Sequence, residues 1–436
     1  MNKRLLLKNA LVVDPSQNIN SKNEVLINGG KIEKISGKLE AGEEVQVVDL
    51  EGKVLVPGFV DIHVHLREPG QEEKETIASG SRAAAAGGIT SLCCMPNTSP
   101  PADNRQTVKY VQERACRAGM SRIYPVGTLT LGQRGEELTS FGALLTEGVK
   151  AFSEDGKTVA SSSVMYNALC YLRKFDVPVI SHCEEESLSE GGEAHDGYWA
   201  NIMGLQGLPA VAEELAVVRD ILLARETGAR LHLAHVSLAE TVGWVRWAKE
   251  QGVRVTAEVT PHHLLLNDAC LQGYNTLAKM KPPLRTEKDR QALVQGLQSG
   301  VIDAIATDHA PHCREDKNGD FSSAAFGVSG LETVIPLLLT YLVKPGMISL
   351  EQLVSSFCVR PAEIVGLPGG TLAEGAPADI TVLDLEAPGE IDSAGFYSKG
   401  KNTPFEGWSA TGKPLMTIVG GEIKMKDGKI LEHESR

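Results

Sequence analysis

The sequence predicts an α/β fold, a (β/α)8 TIM barrel with a small β-sandwich formed from both chain termini. Eight short apolar segments alternate with helical patterns, an alternation that is typical of a closed parallel barrel. Segments rich in β-forming residues and in Gly-Gly or Asp-Gly turns lie at both ends of the chain. The length of 436 residues is sufficient for a large barrel and an accessory domain.

The barrel strands are predicted from the short apolar segments in the middle of the chain. They are residues 59–65, 89–95, 122–129, 148–153, 177–183, 229–236, 253–259 and 302–308. Helical patterns such as "DNRQTVKYVQERACRAG" separate most of them. An open doubly wound sheet is the alternative, but no Gly-rich dinucleotide fingerprint follows the first strand.

The two ends of the chain carry similar β patterns. "LINGGKIEKI" near the start resembles "IVGGEIKMKDGKI" near the end, so the two segments could build one small sandwich. We therefore expect three segments: residues 1–56 as the first part of the sandwich, 57–364 as the barrel and 365–436 as the second part of the sandwich.

Composition narrows the class of protein. The formal net charge of −13 argues against nonspecific binding to nucleic acid or to an anionic membrane. The eight cysteines include no CxxC pair, so reduced thiols in a cytoplasmic protein are the simpler interpretation. The basic and then apolar N-terminus is interpreted as a strand, since its apolar run is short, and no stretch approaches a transmembrane helix.

Histidines and acidic residues fall at the ends of the predicted strands. They are His63, His65, Asp155, His182, His235 and Asp308. Since all strands of such a barrel end on one rim, where active sites are built, these side chains are expected to converge. Any one of them alone would more often be structural, and six together are hard to reproduce by chance.

Four imidazoles and two carboxylates suit a divalent metal of borderline hardness, with zinc as the first choice. One catalytic zinc usually takes three protein ligands and a water, so six candidates are too many for a single ion. Two metals that share a bridging carboxylate would account for all of them. His232 is expected to face away from His235, and His262 and His263 are expected to have a supporting role.

The same rim offers groups that could bind an anion. Arg67 follows the first strand, Asn97 lies in "MPNTSPP" after the second strand, and His312 lies in "TDHAPHC". Arg67 could hold a carboxylate through a bidentate fork. Residues 311–330 form a long, polar, Gly-rich stretch that is interpreted as a loop able to close over the rim.

At these motifs the sequence resembles the amidohydrolase superfamily, and more closely the long-chain bacterial dihydroorotases. The features that carry the resemblance are "VDIHVHLREPG", "MPNTSPP", "FSEDG", "ISHCE", "LAHVS", "EVTPHHL", "KPPLR", "ATDHAPH" and "FGVSGLE". They occur in order along about the whole chain. The resemblance implies a binuclear zinc enzyme that catalyses the reversible cyclisation of N-carbamoyl-L-aspartate to L-dihydroorotate in pyrimidine biosynthesis.

The resemblance also implies a role for each matching residue. His63, His65 and Asp308 would hold one metal, His182 and His235 the other, with Asp155 bridging both. Asp308 would also shuttle the proton in an attack by metal-bound hydroxide. The substrate would contact Arg67, Asn97, Lys281, His312 and the backbone around Phe326 and Gly327. Many relatives have Asn where this chain has Lys281, although a cation could still serve an anionic substrate.

Two residues compete for the role of bridging ligand. Many amidohydrolases use a carboxylated lysine on the fourth strand, and Lys150 stands where such a lysine would. Five residues of strand span roughly 16 Å, so we expect only one of Lys150 and Asp155 to bridge the metal pair. The Asp-Gly turn that begins at Asp155 places this aspartate just past the strand end, and the sequence therefore favours it.

Rival functions remain open at this stage. An allantoinase or hydantoinase would share the architecture, and a non-catalytic homologue could act as an assembly scaffold. Arg67 and Asn97 favour dihydroorotase because they supply carboxylate recognition, and a silent scaffold would be expected to have lost metal ligands. A homo-oligomer is expected, and association with an aspartate transcarbamoylase is left open.

Overall fold

A computed structural model describes residues 4–40 and 45–431 of the chain. Residues 1–3, 41–44 and 432–436, which belong to the predicted terminal segments, lie outside the described residues. The first five strands are Arg4–Asp14 (β1), Ile19–Asn28 (β2), Lys31–Ser36 (β3), Val45–Asp49 (β4) and Val54–Pro57 (β5). Gly29 and Gly30 join β2 to β3 with φ of +57° and +78°, the backbone that a two-residue hairpin turn requires.

The barrel begins directly after β5. Its first strands are Phe59–Val64 (β6), Ile89–Cys94 (β7), Arg122–Pro125 (β8) with its continuation Gly127–Thr128 (β9), Phe152–Ser153 (β10) and Val179–Ser181 (β11). Next comes a two-stranded ribbon, Ala194–His195 (β12) and Gly207–Leu208 (β13). The remaining barrel strands are Leu231–Leu233 (β14), Val255–Val259 (β15) and Ala304–Ile305 (β16).

The barrel strands run parallel and close into a ring. Neighbours pair from β6 through β7 and β8, and from β9 through β10, β11, β14 and β15 to β16. The ring closes where the main-chain N–H of His65 donates to the carbonyl of His309 at 2.8 Å. All eight predicted strands are confirmed, and so is the predicted barrel.

Helices follow the barrel strands and cover the outside. They are Ile77–Ala86 (α1), Arg105–Ala118 (α2), Phe141–Thr146 (α3), Ser162–Leu172 (α4), Glu186–Ser189 (α5), Tyr198–Met203 (α6), Ala210–Thr227 (α7), Ala239–Glu250 (α8), Pro261–Leu265 (α9), Glu287–Gln298 (α10), Arg314–Lys317 (α11), Val334–Leu338 (α12), Leu350–Val354 (α13) and Arg360–Val365 (α14). Within residues 4–40 and 45–431, no helix is both long enough and apolar enough to span a membrane.

The last four strands return to the first five. They are Ile380–Glu390 (β17), Ser409–Val419 (β18), Glu422–Lys426 (β19) and Lys429–Ile430 (β20). Because β17 pairs antiparallel with β5, both ends of the chain form one nine-stranded sheet, as predicted. Leu7, Val25 and Ile380 lie in its apolar core. The segment boundaries at 56/57 and 364/365 stay a prediction; β5 ends at Pro57 and α14 at Val365.

A charged contact joins the barrel to this sheet. The carboxylate of Asp379, which is buried, accepts from Arg122 Nε at 2.7 Å and from the main-chain N–H of Gly420 at 2.7 Å. Arg122 lies on barrel strand β8 and Gly420 follows β18. One carboxylate therefore ties a barrel strand to the sheet built from the chain ends.

We expect Asp379→Ala to lower the free energy of unfolding by about 1–3 kcal/mol, since two donors lose a buried acceptor. Urea unfolding followed by circular dichroism would measure the loss. Asp384→Ala is the matched control, because it removes the more exposed ion pair of Asp384 with Lys53 and should cost about 1 kcal/mol or less. Equal losses in the two variants would contradict the assigned role of Asp379.

Candidate metal centre

Side chains from distant parts of the chain meet at the carboxyl rim of the barrel. His63 lies in β6, and the others follow the ends of β6, β10, β11, β14 and β16 by one to three residues. The structure thus brings together His63, His65, Asp155, His182, His235 and Asp308, and all six are buried.

Asp155 stands between two groups of imidazoles. Its Oδ1 lies 3.3 Å from His63 Nε2, and its Oδ2 lies 3.3 Å from His65 Nε2. On the other side, His182 Nδ1 and His235 Nε2 each lie 3.5 Å from Asp155 Oδ1. Asp308 Oδ1 completes the first group, at 3.2 Å from His65 Nε2 and 3.6 Å from His63 Nε2.

These spacings match those of ligands that share a metal. Donor atoms about 2.1 Å from a tetrahedral zinc lie roughly 3.4 Å from one another. His65 Nε2 lies 3.2 Å from Asp308 Oδ1 and His182 Nδ1 lies 2.9 Å from His235 Nε2, both within hydrogen-bonding distance. His63 Nε2 and Asp155 Oδ1 are buried and have no hydrogen-bond partner among the described residues. Buried polar atoms of this kind are costly unless something binds them. The donor set is compatible with a metal site, and Asp155 belongs to both of its groups.

The two aspartates of this cluster are held as carboxylates. Burial alone would raise the pKa of each, but the neighbouring imidazoles hold the pKa of Asp155 and that of Asp308 well below the usual range. Both side chains can therefore act as anionic ligands at neutral pH.

Three of the four imidazoles also have a partner at the ring nitrogen that faces away from the cluster. His63 Nδ1 lies 2.6 Å from Glu258 Oε1, and His65 Nδ1 lies 2.9 Å from Asn97 Oδ1. His182 Nε2 lies 3.1 Å from Glu184 Oε2. Such contacts orient each ring so that its other nitrogen faces the cluster.

Two of these partners were not predicted as functional residues. Glu258 stands in "EVTPHHL" and Glu184 in "ISHCE", each inside a motif that the sequence does contain. A glutamate close to candidate ligands was the only available signal. Asn97 was predicted to bind substrate, and the structure shows that its carbonyl oxygen also accepts from His65.

A cavity of about 350 Å³ opens beside the cluster. All the residues that were predicted to bind substrate line it: Arg67, Asn97, Lys281, His312, Phe326 and Gly327. Gly327 has a φ of +139°, and a Cβ there would lie 2.7 Å from Ala310 Cβ, so only glycine fits this wall.

Arg67 is held against the loop that follows β16. Its Nε donates to the carbonyl of Pro311 at 3.2 Å, and Nη2 lies 3.3 Å from His312 Nε2. Burial and the nearby guanidinium lower the pKa of His312 to about 3, so this ring is neutral and donates from Nε2 to the carbonyl of Phe326 at 2.8 Å. His312 thereby fixes the cavity wall that contains Phe326.

Lys281 lies at the edge of the cavity and is partly exposed. Its ammonium pairs with Glu184 Oε1 at 2.9 Å and lies 5.8 Å from the centre of the Phe326 ring. Burial would raise the pKa of Glu184, but His182 and Lys281 hold it at about 2. Lys281 is therefore linked through one carboxylate to His182.

The segment 311–330 is anchored at several points. The Lys317 ammonium donates to the carbonyls of Thr276, Lys279 and Ala325 at 3.1, 3.0 and 2.6 Å. Lys279 donates to the carbonyl of Phe321 at 2.6 Å. These contacts hold the segment against the cavity, and its closure over a substrate stays a prediction.

Comparison with known proteins places the chain in a family. A sequence model described as Dihydro-orotase-like matches residues 52–241. The chain is 46% identical to the dihydroorotase of Acetivibrio thermocellus over 98% of its length and 100% of that protein. It is 48% identical to the dihydroorotase of Pelotomaculum thermopropionicum, with 97% and 99% covered.

The chain belongs to the dihydroorotase family. Solved structures of other cyclic-amide hydrolases share its fold. The L-hydantoinase (dihydropyrimidinase) of Arthrobacter aurescens is 27% identical with a TM-score of 0.90 over 99% of this chain and 98% of that chain. The dihydropyrimidinase of Brevibacillus agri, at 24% identity, has a TM-score of 0.86 and covers 98% of this chain and 96% of its own. The family assignment identifies a cyclic-amide hydrolase.

Within this dihydroorotase-family site, the position of Lys150 bears on the bridging ligand. Its ammonium lies 6.0 Å from the centre of the Tyr124 ring. Asp155 belongs to both groups. The geometry supports the prediction that Asp155 is the bridge.

We expect Asp155→Ala to lose bound metal and activity, because both ligand groups lose their shared carboxylate. Lys150→Ala, the matched control, should keep both. Metal content per chain and turnover would be measured with and without bicarbonate, which a carboxylated lysine needs. Loss of metal in Lys150→Ala, with metal retained in Asp155→Ala, would show that the bridge is wrongly assigned.

Proposed function

We propose that this chain is a dihydroorotase, which catalyses the reversible cyclisation of N-carbamoyl-L-aspartate to L-dihydroorotate in the synthesis of UMP. The observation that carries the proposal is the position of Arg67, which lines the same cavity as five of the six cluster residues, all except His63. A guanidinium is the side chain best suited to bind a carboxylate through two parallel hydrogen bonds. The substrate would therefore be a cyclic amide that bears a carboxylate.

We further propose that the cluster binds two zinc ions. His63, His65 and Asp308 would hold one ion, His182 and His235 the other, and Asp155 would bridge them. The ligand spacings and the unpartnered atoms of His63 and Asp155 support this assignment. When bound, such a pair lowers the pKa of a water molecule to about 7 and polarises a carbonyl group.

The protein groups then have separate tasks in the hydrolytic direction. Arg67 orients the ring through its carboxylate. Asp308, a carboxylate beside His65 and on the cavity wall, accepts the proton of the attacking water and returns it to the ring nitrogen that leaves. His312 and the backbone of Phe326 and Gly327 form the wall against the ring. The biosynthetic direction reverses each step.

Lys281 is proposed as a further contact for an anionic substrate. Its ammonium reaches the cavity edge, and its partner Glu184 also contacts His182. A substrate carboxylate could share this cation. We also propose that the protein is a cytoplasmic homo-oligomer. It could in addition associate with an aspartate transcarbamoylase.

Hydantoinase-type activity is the second candidate, which the close fold similarity to the Arthrobacter aurescens enzyme favours. A paired assay with dihydroorotate, hydantoin and allantoin separates the candidates. We expect turnover of dihydroorotate to be dominant, and to disappear with a chelator and return with zinc. Preferred turnover of hydantoin would reject the dihydroorotase proposal. Full activity without metal would reject the proposed metal centre.

Replacing Arg67 by Lys should raise the KM for dihydroorotate about tenfold or more, equivalent to ~1.4 kcal/mol, because the charge stays but the fork is lost. Any turnover of hydantoin should change little, since that ring has no carboxylate. The control is Arg105→Lys, at an exposed arginine paired with Glu147. Equal losses on both substrates would show that Arg67 is structural.

Replacing Asp308 by Asn should reduce turnover per metal-loaded site by about 10²–10⁴-fold, because the amide cannot accept the proton. Substrate binding should weaken less. The matched control is Asp303→Asn, at a buried carboxylate that pairs with Lys249 before β16. If Asp308→Asn retains metal and near-normal turnover, Asp308 is not the proton shuttle.

A further inference from the structure

Glu258 is a buried carboxylate inside the barrel that faces two imidazoles. We infer that it is a positioning residue for the metal centre, which orients His63, and that His232 holds Glu258 in place. Neither Glu258 nor His232 belongs to the six-residue cluster, and both are 0% exposed. The inference rests on the proposed metal centre.

Every oxygen of Glu258 has a donor. Oε1 accepts from His63 Nδ1 at 2.6 Å and from the main-chain N–H of His235 at 3.3 Å. Oε2 accepts from His232 Nε2 at 3.0 Å. The carboxylate therefore contacts side chain or backbone of a candidate ligand from each of the two groups.

The backbone explains how the carboxylate reaches this point. Strands β14 and β15 pair in parallel with His232 opposite Thr256. Side chains two apart on a strand share a face, so Thr256 and Glu258 point the same way and meet His232. His232 Nδ1 lies 2.8 Å from Thr256 Oγ1. Strand register thus places Glu258 within reach of His232 and of His63 on β6.

The hydrogen bonds show which nitrogen of each ring faces Glu258. Since a carboxylate only accepts, His63 donates to it from Nδ1, so Nε2, which faces Asp155 at 3.3 Å, is the nitrogen that can bind a metal. His232 donates to Glu258 from Nε2, and its Nδ1 lies 2.8 Å from the Thr256 hydroxyl. Glu258 keeps its full negative charge beside His63, which makes that imidazole a stronger ligand.

A purely structural role would make a different prediction. If Glu258 only satisfied buried donors, an isosteric glutamine would serve almost as well. The amide oxygen of Gln would accept from His63, and its NH2 would donate to His232 once that ring reversed its tautomer against Thr256. Glu258→Gln therefore removes the charge while the volume and the hydrogen-bond count stay the same.

The test measures zinc affinity of the full chain by competition with a chromophoric chelator, alongside kcat and KM for dihydroorotate. We expect Glu258→Gln to weaken zinc binding by about 10–100-fold and to lower kcat more than it raises KM. The cobalt-substituted variant should also show a shifted visible absorption spectrum, because the field of one ligand changes.

Glu213→Gln is the matched control. Glu213 is another buried glutamate, which accepts from Ser237, Thr241 and Arg285 and, among the described residues, has no hydrogen bond or ion pair with the six cluster residues. It should leave the zinc affinity and the cobalt spectrum unchanged. Equal effects of the two glutamine variants, or wild-type zinc affinity in Glu258→Gln, would overturn the inference.

A second variant tests the inference if Glu258→Gln does not fold. In that case a loss of zinc affinity of about tenfold in His232→Asn supports the inference, and wild-type affinity in His232→Asn overturns it. If the wild-type chain itself binds no zinc, the proposed metal centre fails. If the wild-type chain binds zinc tightly and the variants bind it equally tightly, the metal centre stands and the role of Glu258 fails.

Discussion

The rim of the barrel is governed by the cost of burying polar atoms. An unpaired buried polar group costs several kcal/mol, by order of magnitude, so nearly all such groups find partners. Here three of the nitrogens that point away from the cluster have partners, in Glu258, Asn97 and Glu184. The inward atoms His63 Nε2 and Asp155 Oδ1 have none within residues 4–40 and 45–431. A metal would supply these two atoms with the partner that the protein does not.

Convergence at one rim also bends the backbone. Arg67, His235 and Asp308 have φ of +62°, +32° and +47°, a region that side chains other than glycine rarely adopt. Each such residue costs about 1–3 kcal/mol, which the surrounding structure must offset. All three lie just past strand ends, where the chain leaves the ring. The closed ring, held between β6 and the residues after β16, keeps these positions fixed.

The fold was predictable because its signal is repetitive: eight apolar segments alternate with helices. The candidate metal ligands lie at or just past the ends of five of these segments. Convergence of the six-residue cluster followed from topology alone. The roles of Glu258, Glu184 and His232 did not, since they depend on which ring nitrogen faces them, a tertiary property. His232 was expected to face away from His235, and its contact with Glu258 depends on the pairing register of β14 and β15, which the pattern of either strand alone does not give.

The negative charge of the cavity explains why an anionic substrate would bind only with the metal pair in place. The chain carries a net −13, and Asp155 and Asp308 place two negative charges beside the cavity. Without metal, these carboxylates would repel a dianionic substrate and compete with it for Arg67, which they already attract. Two divalent cations on two carboxylates would leave a local charge of about +2, since imidazoles bind a metal in their neutral form. Arg67 would then be free to bind the substrate carboxylate, so the ions would create the anion site as well as the reactive water.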